Sequence, residues 1–155
     1  MKIYLSRPMA GRGFAEVDEW YTREVNFCRG LGLDVFHPWL SEEELGPDKR
    51  FVATGHDHAS APTATTNAIV GRDRWMATNV DLLLTDLTEA QTVSIGCMME
   101  LAWAYDHGAH TIVVMKDKSV HRHAFVTGAA HVIYPDLQGA KHYLSEFCKS
   151  LGGKK

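Results

Sequence analysis

Between Val80 and Met115 the chain passes from one apolar run to another through a helical stretch. Val80-Asp81-Leu82-Leu83-Leu84 is followed by an apolar helix from about Ser94 to His107, closed by Gly108, and then by Thr111-Ile-Val-Val-Met115. Apolar runs of strand length on either side of a helix describe a β-α-β unit, with parallel strands buried on both faces. Such a unit closes as a right-handed crossover and commits the chain to helices on both sides of one sheet. The remaining segments conform. Ile3-Tyr4-Leu5 reads as a first strand closed by Pro8 and Gly11, and Phe14 to Leu31 as a helix stopped by Gly30 and Gly32. Asp34-Val35-Phe36-His37 before Pro38 is a second strand. A helix from Asn67, carrying Ile69, Val70, Trp75 and Met76, leads into the third. His131-Val-Ile-Tyr134 makes a fifth strand and Leu137 to Leu151 an amphipathic closing helix. The expectation is one domain over residues 1–155, an α/β fold with a flavodoxin/Rossmann-like parallel five-stranded sheet in the order 2-1-3-4-5. Two stretches stand apart. Glu42-Glu43-Glu44-Leu45 after Ser41 reads as a short capped helix ended by Gly46-Pro47, and about 52–66, rich in Ala, Thr, Ser and Gly, as a flexible loop.

Composition narrows the function classes. With 155 residues, 45% of them hydrophobic, the chain needs no disulfide or metal staple to hold a core. Its net charge is −3 with the signs mixed, which gives no basic face for a nucleic acid polymer. No apolar run has membrane-spanning length, and Lys2-Ile-Tyr-Leu enters a strand without a signal-peptide pattern. Cys28, Cys97 and Cys148 form an odd set on apolar segments, read as reduced thiols and hence a cytoplasmic setting.

Parallel sheets of this kind bind ligands outside the carboxyl ends of their strands. That edge gathers the Ser6–Gly13 loop, the Asp86–Ser94 loop with the helix start behind it, and the segment after Met115. Glu100 lies near the start of its helix, where the helix dipole is expected to hold a carboxylate ionised and aimed into the crevice. Asp73 precedes the third strand by about two helical turns, which brings it to the same edge. One carboxylate on a sugar face and one acid near a departing base are what cleavage of an N-glycosidic bond requires, because the transition state is oxocarbenium-like and the base leaves with a proton. Asp81, at the beginning of its strand, reads as structural. Asp86, at the end of it, is a candidate for ligand contact.

Other residues carry weaker signals. Met98, Met99, Trp103 and Tyr105 sit at helical spacing and read as core, with one methionine reaching a base. His56 with His58, and His121 with His123, lie two apart without a cysteine or carboxylate set of zinc spacing, so no metal and no cofactor are expected.

Lys2-Ile-Tyr-Leu-Ser-Arg-Pro-Met-Ala-Gly, then Asp73 with Asp81 eight residues on, then Gly96 four residues before Glu100-Leu-Ala-Trp-Ala, together resemble the nucleoside 2-deoxyribosyltransferase superfamily over nearly the whole chain. The resemblance implies that Glu100 is a nucleophile, forming a covalent sugar ester as the base departs, and that Asp73 is the carboxylate beside it. The segment His121-Arg-His-Ala-Phe125 resembles one that closes over the substrate or a neighbouring subunit's site, which makes His123 a candidate contact. The resemblance also implies a homodimer or higher assembly, and Trp20, Tyr21, Trp103 and Tyr105 offer aromatic surface for it.

Transferases of this superfamily usually carry an aspartate six residues before the nucleophile, where this chain has Ser94. A serine there resembles the nucleotide N-glycosidases of the same superfamily, which hydrolyse nucleoside 5′-monophosphates. Ser6, Arg7, Pro8, Met9, Gly11 and Arg12 give a loop in which guanidinium forks and backbone amides can meet a phosphate. The implied activity is hydrolysis of a (2′-deoxy)nucleoside 5′-monophosphate, with Ser94, Gly96 and Asp86 also near substrate. Base exchange between deoxynucleosides is the alternative, and a non-catalytic nucleotide-binding sensor is the alternative of another class.

Overall fold

The structure, a computed structural model, describes residues 1–39, 50–51 and 62–152. Five strands, β1 (Lys2–Ser6), β2 (Asp34–Phe36), β3 (Leu82–Asp86), β4 (His110–Val114) and β5 (Val132–Tyr134), form one sheet in the order β2-β1-β3-β4-β5. Every pairing is parallel, with Ile3 opposite Val35 and Leu82, and Ser6 opposite Thr85. The expected architecture and strand order are therefore observed, with strand ends displaced by a residue or so.

The pleat sorts each strand's side chains between two cores. Ile3, Leu5, Leu82, Leu84, Ile112 and Val114 face helices α1 (Phe14–Gly30) and α5 (Leu137–Gly152), meeting Val17, Trp20, Tyr21 and Leu144. Tyr4, Leu83 and Val113 face the other way, toward α2 (Thr66–Thr78) and α3 (Ile95–Asp106), meeting Met76, Ala77, Cys97, Leu101 and Ala104. This parity decides which polar residues can meet. Trp20 and Tyr21, expected to offer interface surface, are buried under the sheet because α1 covers its face with that side.

Three local readings change. A short helix, α4 (Ala124–Gly128), follows β4, and its five residues are too few to leave a helical period. Pro62–Ala64 is a 3₁₀ turn and Thr66 opens α2, so the end of the expected loop is regular; Thr65 caps α2 by accepting from the Ala68 amide. The rest of that loop, 52–61, and the expected helix after Ser41 lie outside the described residues. The free cysteines agree with the sequence reading: Cys28 and Cys97 are buried and Cys148 half-buried. Asp81 accepts from the Lys2 amide at 2.7 Å, the structural role expected of it. Among the described residues no helix is long and apolar enough to cross a membrane.

Candidate active site

Helix α3 buries Cys97, Glu100, Leu101 and Ala104, the i, i+3, i+4, i+7 stripe of an amphipathic helix, and one member of that stripe is a carboxylic acid. Ser94 starts the helix, its hydroxyl accepting from the Cys97 amide at 3.4 Å. Gly108, at φ +84°, carries the chain out beyond its last turn. Glu100 thus projects onto the sheet face that carries Tyr4 and Ser6, two residues of one pleat side. The Tyr4 hydroxyl donates to Oε1 at 3.0 Å and the Ser6 hydroxyl to Oε2 at 2.5 Å, so both carboxylate oxygens are held by β1.

The dipole argument for an ionised Glu100 does not survive this placement. Glu100 is in the second turn of α3, past the reach of the helix terminus, and its burial pushes the carboxyl from its ordinary 4.5 to about 7. Ser6 and Tyr4 pull against that rise, and Asp73 adds to it.

Asp73 reaches the same place by the same logic. It shares the buried side of α2 with Met76 and Ala77, and burial raises it to about 6 against the pull of Arg72, whose Nε donates to Oδ1 at 2.9 Å. Arg72 is fixed in turn by donating from Nη2 to the Pro38 carbonyl at 2.8 Å. Nothing in the sequence around Arg72 marked it, since its partner carbonyl comes from the end of a different β-α unit.

Both carboxylates line one cavity of about 410 Å³ at the carboxyl edge of the sheet. Of the residues singled out in the sequence, Arg7, Pro8, Met9, Ser94 and Gly96 line it with them. Ser6 acts from behind through Glu100. Residues not anticipated complete the wall: Thr66 and Ile69 from α2, Phe51, and Trp103 from α3. Trp103 is half-buried, packed against the core and also on the cavity wall, while Met99, one of the two methionines of which one was expected to reach a base, is exposed on the same wall. Tyr105, also expected in the core, is exposed as well.

Four anticipated contacts lie elsewhere. Asp86 is on the α1 side of β3 by parity, where it accepts from the Trp20 indole at 3.3 Å and from the Thr88 amide at 3.0 Å and hydroxyl at 2.7 Å. Gly11, at φ +83°, makes a turn whose amide donates to the Phe51 carbonyl at 2.8 Å. Arg12 donates from Nε to the Pro8 carbonyl at 2.9 Å and lies between Glu16 and Glu89, 3.2 Å from Glu89 Oε2. Arg7, buried over the Trp20 ring, also donates to Glu89 Oε2, at 3.1 Å. His123 caps α4 through the Phe125 amide and lines a second, larger apolar groove of about 980 Å³ between α3 and α4.

Among the described residues no group of three or more histidines, cysteines or acids could hold a metal ion. A raised carboxyl pair on a partly apolar wall, one member gripped by two hydroxyl donors, can supply one carboxylate and one acid to a single bond.

No family model matches the chain, and no curated protein matches it. Solved structures do. A 2-deoxyribosyltransferase from the psychrotolerant bacterium Bacillus psychrosaccharolyticus superposes with a TM-score of 0.63 at 18% identity, over 92% of each chain. A CMP N-glycosidase, BcmB, from Clostridium botulinum gives 0.55 at 14% identity, over 95% of this chain and 99% of the other. A conserved protein from Enterococcus faecalis gives 0.60 at 18% identity, over 97% and 98%. At these identities the likeness is one of architecture, and it extends along nearly the whole of this chain.

Proposed function

We propose that the protein hydrolyses the N-glycosidic bond of a (2′-deoxy)nucleoside 5′-monophosphate. The observation that carries the proposal is the meeting of Glu100 and Asp73 on the wall of one cavity, each raised toward neutrality by burial. Two fold neighbours whose names describe enzymes acting on such bonds, a deoxyribosyltransferase and a CMP N-glycosidase, support the class of reaction.

In the proposed sequence, the ionised Glu100 attacks the anomeric carbon as the carbon–nitrogen bond breaks, and Asp73 gives its proton to the leaving base. Water then attacks the same carbon, the ester bond to Glu100 breaks with its electron pair returning to the carboxylate, and the water proton passes to Asp73. Ser6 and Tyr4 stay on Glu100 throughout and favour its ionised form. Ser94 supports water as acceptor, since the carboxylate usual at that place in the transferases is missing. Arg7 is the cavity-lining cation for the phosphate.

A specific observation favours the alternative, base exchange between deoxynucleosides. Glu89 and Glu16 already occupy both guanidinium groups of the first loop, so a 5′-phosphate must displace them, whereas a free nucleoside need not. Incubation with deoxynucleoside monophosphates and deoxynucleosides, followed by chromatography for free base, separates the readings. Base release without a second base supports hydrolysis, release only with one supports transfer, and no release from either overturns both in favour of a binding module.

The assembly expectation belongs to the same proposal. Val93, Val120 and Phe125, the last two of these 48% and 83% exposed, rim the α3–α4 groove with an apolar face beside the cavity. A dimer through this face is the assembly proposed. Light scattering at micromolar concentration tests it, and a fully active monomer would contradict it.

A further inference from the structure

His121 has no part in the chemistry above, yet it is one of the most enclosed polar side chains in the protein, 1% exposed in the loop between β4 and α4. Its Nε2 accepts from the Ser94 backbone amide at 2.8 Å, across 27 residues of chain. A nitrogen that accepts is unprotonated, so the ring is neutral with its hydrogen on Nδ1. Nδ1 is buried with no hydrogen-bond partner. A buried donor left unsatisfied lowers stability, so the ring's placement is not explained by its own hydrogen bonding.

The Ser94 amide explains it. An N-cap residue leaves its own N–H without a partner inside the helix, and many helices satisfy it with a Glu or Gln at the third helical position, reaching back. Here that position is Cys97, which cannot do so. Ser94 Oγ makes its half of the reciprocal arrangement by accepting from Cys97, and the other half comes from His121, on a different strand's loop. The start of α3 is thereby tied to the end of β4, while Glu100, farther along the same helix, is tied to β1 through Tyr4 and Ser6. Two anchors, one on β1 and one in the loop after β4, fix where α3 lies along the sheet.

We propose that His121 is a positioning residue for the nucleophile helix, accepting from the Ser94 amide so that Glu100 stays against Ser6 and Tyr4 and Ser94 stays on the cavity wall. This rests on the reading of Glu100 as nucleophile. His121 does not line the 410 Å³ cavity; it acts through Ser94. A small slide of α3 misplaces the attacking oxygen, and such misplacement lowers kcat more than it weakens substrate binding.

The test compares His121→Ala, which removes the acceptor, with His121→Gln, whose amide oxygen can stand near Nε2. Two quantities are read: amide hydrogen exchange at Ser94, and kcat and KM for base release well below the melting temperature, normalised to folded protein. His121→Ala should lose at least about tenfold in kcat with KM within about threefold, and Ser94 exchange should quicken at least about a hundredfold; His121→Gln should recover most of both. A folded Ala variant with unchanged kcat overturns the proposal, as does a loss that Gln does not restore. Should the Ala variant fail to fold, the wild type decides. Nitrogen-15 shifts must show Nε2 unprotonated and exchange must show a protected Ser94 amide, and either result reversed overturns the latch. Exchange needs no turnover, so a wild type that releases no base from any nucleoside or nucleotide refutes the glycosidase reading separately.

Discussion

Ser6, the last residue of β1, donates its hydroxyl to Glu100 Oε2 at 2.5 Å, although 94 residues separate the two in sequence. A donor this close favours the ionised carboxylate and opposes what burial does to it. Ser6→Ala should therefore push the Glu100 carboxyl higher still. In the proposed mechanism Glu100 attacks only when ionised, so kcat/KM should fall roughly tenfold to a hundredfold near pH 6, from the loss of a charge-assisted hydrogen bond, and less at pH 8. A loss independent of pH would mean that Ser6 only fills space.

The carboxyl pair predicts the pH profile of the wild type. Activity should be lost as pH falls and Glu100 takes up a proton, and lost again as pH rises and Asp73 gives its proton up. The two titrate as a coupled unit, and because Glu100 rises to about 7 and Asp73 only to about 6, the reactive form with Glu100 ionised and Asp73 protonated is the minor one; kcat/KM should be a low bell with limbs near about 6 and about 7. Asp73→Asn should abolish the alkaline limb. The acid limb that remains should then report Glu100 alone, below the about 7 it reaches beside the Asp73 charge. A variant that keeps the alkaline limb would remove Asp73 as the acid.

Stability should fall across the pH range in which Glu100 ionises. The Glu100 carboxyl rises from its ordinary 4.5 to about 7 on folding, so between those values the native state holds more proton than the unfolded chain. Stability is then lost as pH increases across that window. Glu100→Gln, neutral at every pH, should abolish base release yet be more stable than wild type at pH 8, by up to about 3 kcal/mol, and nearly equal to it at pH 4. Denaturant melts at both pH values check this; a variant less stable at pH 8 would contradict the burial argument.

Arg7, Arg12 and Glu89 decide the phosphate question. Glu89 Oε2 lies 3.1 Å from Arg7 and 3.2 Å from Arg12, where a substrate phosphate would compete with it. Glu89→Gln should raise kcat/KM for the monophosphate several-fold and leave the nucleoside unaffected. Arg7→Lys should do the reverse to the monophosphate, since a point charge replaces a fork. If neither changes the ratio of the two substrates, the phosphate does not bind here and base exchange becomes the better account.

How much of this was legible in the sequence follows from the range of each interaction. The β-α-β alternation showed a parallel sheet, because apolar runs and helical stripes are local patterns, and the order taken for it, the flavodoxin-like one, is the order observed. Glu100 was read as ionised at a helix start, although Cys97, Leu101 and Ala104 at helical spacing place it on the buried stripe. Asp86 was placed by the rule that ligands sit at the carboxyl edge, which ignores pleat parity; counted from Leu82 and Leu84, it belongs to the α1 face. Arg12 was read as a phosphate contact, because the glutamates that hold it are brought in by a helix and a distant loop. Arg72 and His121 leave no local trace at all, as their partners, the Pro38 carbonyl and the Ser94 amide, are 34 and 27 residues away.

The grip of β1 on α3 carries a consequence for how activity is acquired. Tyr4 and Ser6 meet Glu100 across 96 and 94 residues, so the reactive group is assembled by contacts of very high sequence separation, which form late when a chain folds. A fragment or partly folded species lacking the β1–β3 pairing would retain helices and an apolar core, but its Glu100 would be an ordinary solvated glutamate. Regain of the proposed base release on refolding should therefore coincide with the final cooperative step, and its rate would then report when native topology is reached.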